Sequence, residues 1–317
     1  MQLNAITRKS ALPALVLLVV IIVATMIRSA RSPFGVELAT SPYGESGATL
    51  FLAALLFLAV GVVMGKTTPR SGLVNGYCTL AIPLYGVIAC GIFVAPSTLV
   101  AASVSLCFAL AIHLLLTSLH RADDKDSVFF AAILLGLMVP LYPPAIVLVG
   151  VLPIAIFTLA LSARQIILMV AGYALPLLAT SYAFWYMGNG FWDAAINIFE
   201  LLQRDHTAPI GHIPYLAIAV VAAATIILFW GGIYAVAHPD KMFRLARVRR
   251  SLLLFVWITV LALTMLFIPA CDITLIAIIA VPLGTLLTFA LNILPNNHST
   301  IAYWLLLLLF FIHLFVE

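Results

Sequence analysis

The side chains that could do chemistry are concentrated in two polar segments of this sequence, residues 28–47 and 188–214. Carboxylate, guanidinium and imidazole groups are the types that accept protons, bind phosphate oxygens or hold metal ions. The two segments contain, among other polar residues, Arg28, Arg31, Glu37, Glu45, Trp192, Glu200, Arg204, His206 and His212.

A metal site could be drawn from the two histidines together with Glu200, Glu37 or Glu45. Neither histidine spacing matches a known ligand pattern, however, and histidines in loops are usually solvated. A divalent metal is therefore possible but unsupported, and we predict no metal and no other cofactor. Redox or metal chemistry at cysteine is also not expected, because the four cysteines lie in or beside apolar runs and form no CxxC pair.

The composition defines the class of protein that must position these residues. Of the 317 residues, 65% are hydrophobic and only 8% are charged, whereas a soluble domain has about 25% charged residues. So few charges cannot cover a water-exposed surface. This excludes a soluble enzyme, a nucleic-acid-binding protein and a disordered linker, and it predicts an all-α polytopic membrane protein forming one domain over residues 1–317.

A hydrocarbon layer about 30 Å thick needs about 20 apolar residues per helix, and about eleven candidate spans result. Prolines at 140, 143 and 144 interrupt one long apolar stretch, which predicts a tight turn or two short helices there. The candidate spans are 11–27, 48–65, 73–94, 97–117, 128–140, 144–162, 166–187, 215–237, 251–269, 272–292 and 300–316.

The basic residues set the expected orientation, because positively charged loops stay in the cytoplasm. With the N-terminus inside, every Lys and Arg except Arg28, Arg31 and Arg204 falls in a cytoplasmic segment. The C-terminus is then outside, and the segments 28–47 and 188–214 are long outer loops. The basic loop 238–250 is expected to lie against anionic headgroups, mainly as a topology anchor.

Residues 191–205 predict an amphipathic helix lying in the outer membrane interface. Apolar residues recur there at helical spacing, while Asp193, Asn197, Glu200 and Arg204 occupy the other face. Trp192 suits the level of the lipid headgroups. We take Trp192 and Arg204 as candidate lipid- or phosphate-contacting residues; the alternative is a strut that packs on neighbouring helices.

Four features of the segment 126–186 form a recognisable series. They are the apolar stretch 129–138, the Tyr-Pro-Pro-Ala sequence at 142–145, the single basic turn at 162–165 and the Gly-Tyr-Ala-Leu-Pro sequence at 172–176. In these features the segment resembles the middle of GT-C glycosyltransferases, large polytopic enzymes that use lipid-linked sugar donors. The whole chain is also similar in length and layout to an uncharacterised family of Bacteroidota integral membrane proteins.

The resemblance implies a GT-C-like fold in a bacterial inner membrane and a role in the cell envelope. In GT-C enzymes an acidic residue of the first outer loop acts as base or holds a metal beside the donor phosphate. This implies Glu37 and Glu45 as catalytic candidates, with Arg28 and Arg31 as candidate phosphate-binding residues. The loop here contains no Asp and no adjacent acidic pair, so a scaffold that has lost the chemistry is the second possibility.

Three functions follow. The first is handling of a polyprenyl-linked glycan at the outer leaflet, with the lipid bilayer and that glycan as partners. The second is a non-catalytic subunit of an envelope assembly or export complex that binds protein partners through its outer loops. The third is a carrier of lipid or a small solute, with a midplane site at the broken helices around 140–144.

Overall fold

The computed structural model describes residues 12–31, 47–74, 78–91, 98–118, 125–159, 161–203, 215–237, 245–268, 270–271 and 274–316. Within these ranges the chain forms twelve α-helices and one 3-10 helix, and no β-strand. The helices are α1 (Leu12–Arg31), α2 (Gly47–Arg70), α3 (Ala81–Gly91), α4 (Thr98–Ser118), α5 (Lys125–Leu141), the 3-10 helix (Pro143–Val151), α6 (Leu152–Leu159), α7 (Ala163–Tyr186), α8 (Asp193–Gln203), α9 (Tyr215–Ala237), α10 (Leu245–Phe267), α11 (Thr274–Ile293) and α12 (Asn296–Val316).

The all-helical, membrane-type fold predicted from the sequence is confirmed. Six helices are long and apolar enough to cross a membrane, namely α2, α4, α7, α9, α10 and α11. Three shorter apolar stretches lie in α1, in α5 and in the 3-10 helix with α6. By length and composition the described helices therefore confirm a multi-pass protein, but not the predicted count of eleven crossings.

The proline-rich break is where the sequence placed it. Helix α5 ends at Leu141, Tyr142 is extended with φ −147°, and the 3-10 helix begins at Pro143 and continues into α6. The backbone N–H of Tyr142 donates to Met138 O at 2.8 Å, and that of Ala145 donates to Tyr142 O at 2.9 Å. At about 2.0 Å per residue for a 3-10 helix and 1.5 Å for an α-helix, the 3-10 helix and α6 together rise about 30 Å.

The predicted span 73–94 is not one continuous helix in the structure. Among the residues of this span that the structure describes, the helical ones are the 11 residues of α3, which is fewer than a crossing needs. Gly72 ends the preceding helix with φ +66°, and Leu73, Val74 and Cys78 are buried without being helical. Hydropathy cannot separate an apolar segment folded as a buried connection from one folded as a helix.

Helix α11 is the centre of the bundle. In the most apolar 18-residue stretch of α11, 94% of the residues are buried, whereas the buried share of the corresponding stretch of α7 is 22%. Helix α11 contacts α2, α3, α4, α9, α10 and α12. The hydroxyls of Thr285 and Thr288 donate to Pro282 O and Gly284 O, both at 2.7 Å. Because these bonds stay within the helix, the two hydroxyls can be buried without a partner on another helix.

Two contacts define one end of the bundle, which we call the arginine end. A side-chain N–H of Arg250 donates to the carbonyl of Ser71, and Arg247 Nε donates to Gly72 O at 3.4 Å. Since Ser71 follows the last residue of α2, the start of α10 lies beside the end of α2. Two segments predicted to be cytoplasmic therefore lie at the same end.

Further contacts give the direction of the other helices. His113 Nδ1 is 2.9 Å from Thr67 Oγ1, so α4 also ends at the arginine end. The thiol of Cys271 donates to Thr264 O at 3.4 Å, so α11 starts where α10 finishes and runs back. The side chain of Ala290 lies against Gly231, which places the second half of α9 at the arginine end too.

Helices α5 and α7 run parallel and are in close contact. A Cβ at Gly136 would overlap the carbonyl oxygen of Tyr173, and a Cβ at Gly172 would lie 2.7 Å from Phe129 O. Helix α5 starts seven residues after the end of α4, near the arginine end. Helix α7 therefore ends at the opposite end of the bundle, together with α8.

Candidate functional site

Of the six side chains predicted to form the site, the structure describes that of Trp192. Glu37, Glu45 and Arg204 lie outside the described residues, as do His206 and His212. Arg28 and Arg31 belong to the last turn of α1, which reaches four residues beyond the predicted span; their side chains lie outside the described part. The residues of the two outer loops are therefore not shown to come together.

A closed turn positions Trp192 at the start of α8. Gly188 has φ +89°, a conformation that glycine adopts without steric cost. The backbone N–H of Gly190 donates to Asp193 Oδ2 at 2.6 Å, and the N–H of Asp193 donates to Gly190 O at 3.1 Å. Asp193 also suits the first turn of a helix, where negative charge is favourable. Its carboxylate is thus used to hold this turn.

Helix α8 is amphipathic, as predicted, but its apolar arc has two halves with different surroundings. One half faces the bundle, where Ala194 is 4% exposed and Ile198 packs against the core. The other half is a row at i, i+4 and i+7 that faces away from the protein: Trp192 is 71% exposed, Ile196 52% and Phe199 60%. We call these three residues the outer row.

Exposed aromatic side chains also occur at the end of α7, just before the turn that leads to the outer row. At the end of α7, Tyr182 is 59% exposed, Trp185 56% and Tyr186 81%. The rings of Tyr182 and Trp185 are 5.7 Å apart, and the rings of Phe191 and Trp192 are in an edge-to-face arrangement at 5.4 Å. Exposed Tyr and Trp gather where a membrane meets water. We call this part of the bundle, residues 182–199, the aromatic end.

The polar stripe of α8 completes the geometry. Asp193, Asn197 and Glu200 are exposed on the side between the outer row and the face that packs on the protein. A helix with this pattern can insert its apolar row among lipid chains while its polar stripe contacts headgroups or water.

Among the described residues no group of three His, Cys, Asp or Glu side chains could hold a metal ion.

The arginine end differs from the sequence interpretation. The basic loop 238–250 was expected to face lipid headgroups, yet Arg247 is only 7% exposed and Arg250 only 3%. Both lie on the carbonyls that follow α2, where the helix dipole places partial negative charge. In the sequence, the signal for this packing role is the spacing of three residues, because it places both arginines on the same face of a helix.

His113 and His313, the two histidines within the predicted spans, are partly or wholly shielded from solvent inside the bundle. His113 is half-buried against Thr67, whose hydroxyl also donates to Val63 O at 2.7 Å. His313 is 1% exposed within α12. Both side chains therefore lie within the packing of the described helices.

The residues behind the GT-C resemblance have a packing role in this structure. The stretches 129–138 and 172–176 form the close contact between α5 and α7, and 162–165 starts α7 with a capping box between Ser162 and Gln165.

No family model, curated protein or solved structure matches this chain.

Proposed function

We propose that this chain is a multi-pass protein of a bacterial cytoplasmic membrane that handles a polyprenyl-linked glycan precursor of the cell envelope at the outer leaflet. In this proposal the aromatic end faces outward and the arginine end faces the cytoplasm. The observation that carries it is the outer row, Trp192, Ile196 and Phe199, which is exposed at the same end of the bundle as the exposed aromatic residues of α7.

The outer row suits a lipid substrate better than a soluble one. Three large apolar side chains pointing away from the bundle are stabilised by hydrocarbon and are unfavourable in water. The polar stripe of α8 lies along one side of this row. A lipid-linked saccharide has the same order of groups, with a hydrocarbon chain in the membrane and phosphate and sugar at the surface.

The loop residues supply the remaining parts of the proposal. Arg204 immediately follows α8, and with Arg28 and Arg31 it is a candidate for binding the substrate phosphate, since guanidinium groups pair with phosphate oxygens bidentately. Glu37 and Glu45 are the candidate bases of a GT-C-like transfer. The GT-C-like layout is part of the proposal and follows from the sequence resemblance alone.

Site-specific photo-crosslinking tests the location of the substrate. A photoreactive phenylalanine analogue is placed at Trp192 or Phe199 in cells that carry a labelled polyprenyl-linked saccharide. Phe157 on α6 is the matched control, because it is 82% exposed but lies outside the aromatic end. We expect labelled crosslinks at the two α8 positions and few at Phe157.

The outcomes separate the proposal from its main alternative. Equal labelling at Phe199 and Phe157 contradicts a specific role for the outer row. A crosslink from Phe199 to another protein, without labelled lipid, supports the subunit of an envelope complex instead. For the chemistry, Glu37→Gln combined with Glu45→Gln should abolish sugar transfer from the polyprenyl donor, and unchanged transfer removes both residues as bases.

A further inference from the structure

Helices α9, α10 and α11 enclose a groove of about 840 Å³ in the half of the bundle nearest the arginine end. Leu286 and Phe289 of α11 form its floor. Gly232 of α9 and Leu252 and Phe255 of α10 belong to its walls. The volume is within the range of about 300–1,000 Å³ that is typical of small-molecule sites.

The surface of this groove is suited to hydrocarbon. Its two hydroxyl groups, on Thr225 and Ser251, donate to carbonyls of their own helices, Val221 O at 2.8 Å and Val248 O at 2.9 Å. These hydrogen bonds leave the hydroxyl protons engaged within the helices. A polar solute entering the groove would lose water without gaining equivalent hydrogen bonds.

The groove opens on the outer wall of the bundle. Phe229 is 72% exposed, Val236 80% and Phe255 62%, and all three contribute to its lining. Both walls belong to helices that are apolar and long enough to cross a membrane. In a bilayer the groove therefore faces lipid, and hydrocarbon chains are the species available to fill it.

The charge beside the groove selects the type of lipid. The described start of α10 contains three arginines and no acidic residue in its first turn. Arg247 and Arg250 are engaged with the end of α2, whereas Arg249 is exposed. Arg249 is next to Val248 and within one turn of Leu252, both of which line the groove. A phosphate at this position would complement its charge.

We propose that this groove is a binding site for one anionic diacyl phospholipid, with its acyl chains between α9 and α10 and its phosphate at Arg249. The site lies near the arginine end, away from the outer row, and it does not depend on the proposed glycan function. It differs from a general attraction of basic loops to membranes, because it requires a shaped apolar cavity as well as a charge.

Gly232 allows the groove to be filled without disturbing the packing of the helices. A Cβ added at Gly232 meets no heavy atom within 4 Å, and the same is true at Gly150 in the 3-10 helix. Gly150 does not line the groove. Gly232→Phe and Gly150→Phe are therefore matched substitutions of which only the first occupies the site.

The test is lipid retention in native mass spectrometry. The protein is reconstituted into nanodiscs of equal parts phosphatidylglycerol and phosphatidylcholine and released into mild detergent. We expect wild type and Gly150→Phe to retain one phosphatidylglycerol, and Gly232→Phe to lose it. Arg249→Gln should lower the preference for phosphatidylglycerol about fivefold, and Arg164→Gln, which removes an exposed cation of α7, should leave it unchanged.

Three results would overturn the inference. The first is equal retention by Gly232→Phe and Gly150→Phe, and the second is retention without preference for the anionic lipid. The third is a polyprenyl phosphate, instead of a phospholipid, bound to protein purified from native membranes. Loss of crosslinking at Trp192 with normal phospholipid retention would contradict the proposed function and leave this site standing.

Discussion

Replacing Gly136 by alanine should lower the free energy of unfolding by about 2 kcal/mol, because α5 and α7 touch at that residue. The added Cβ would overlap the carbonyl oxygen of Tyr173 and lie 3.2 Å from Pro176 Cδ. A backbone carbonyl cannot rotate out of the way as a flexible side chain can. The two helices must therefore move apart along their shared contact.

The magnitude follows from two opposing terms. Alanine is favoured over glycine by about 1 kcal/mol in a helix interior, while overpacking a tight contact costs about 1–3 kcal/mol. The reciprocal position indicates how tight this contact is: a Cβ at Gly172 would lie 2.7 Å from Phe129 O, whereas ordinary carbon–oxygen contacts are about 3.3–3.6 Å. We therefore take the upper end of the cost, which leaves a net loss of about 2 kcal/mol.

Gly232→Ala is the matched control, since it makes the same chemical change in a helix where the added methyl group meets open space. It should raise the stability by about 0.5–1 kcal/mol through helix propensity. Both variants can be measured by reversible unfolding in mixed micelles of a mild detergent and sodium dodecyl sulfate, followed by circular dichroism. If Gly136→Ala is as stable as Gly232→Ala, this result contradicts the close contact between α5 and α7 at Gly136.

Three further predictions concern the ends of the bundle. Arg250→Met should lower the free energy of unfolding by about 2–3 kcal/mol in the same assay, because it removes a charge-assisted hydrogen bond and leaves the Ser71 carbonyl unpaired; a change below 0.5 kcal/mol would argue against this contact. Ser162→Ala should cost about 1 kcal/mol by removing the capping box of α7, whereas Ser162→Asp should keep most of the stability. In intact cells a single cysteine at Asn189 should react with an impermeant maleimide and one at Arg164 should not; labelling of both, or of Arg164 alone, would contradict the proposed orientation.

The sequence predicted the class and the rough positions of the membrane-type helices, because long apolar stretches are the main sequence signal for such helices. Each of the eleven apolar stretches overlaps a helix of the structure, and the break before Pro143 follows from the backbone donors that proline lacks. The length of α3 was not predictable in the same way. Leu73, Val74 and Cys78 are as apolar as helical residues, and only the packing around them shows that they form a buried connection.

The candidate site was predictable only in part. The 3.6-residue period of residues 191–203 predicted α8, and Trp192 is exposed at its start. The period could not show that half of the apolar arc packs on the protein and half faces outward, since this depends on where α7 and the 3-10 helix lie. Likewise, the run of basic residues at 238–250 predicted that Arg247 and Arg250 lie against lipid headgroups. Their packing role depends on the end of α2, which lies beside them in the fold.

The broken helix at 140–144 bears on the carrier hypothesis, which places a midplane site there. A transporter site of this type exposes backbone groups that a break has freed from helical bonding. Here the N–H groups of Tyr142 and Ala145 are bonded within the same segment, and Tyr142, Pro144 and Ala145 are buried. The break therefore serves as a packed joint between α5 and the 3-10 helix. The two lipid-binding features that we propose, the outer row at the aromatic end and the groove near the arginine end, both lie away from this break, so we rank the carrier hypothesis last.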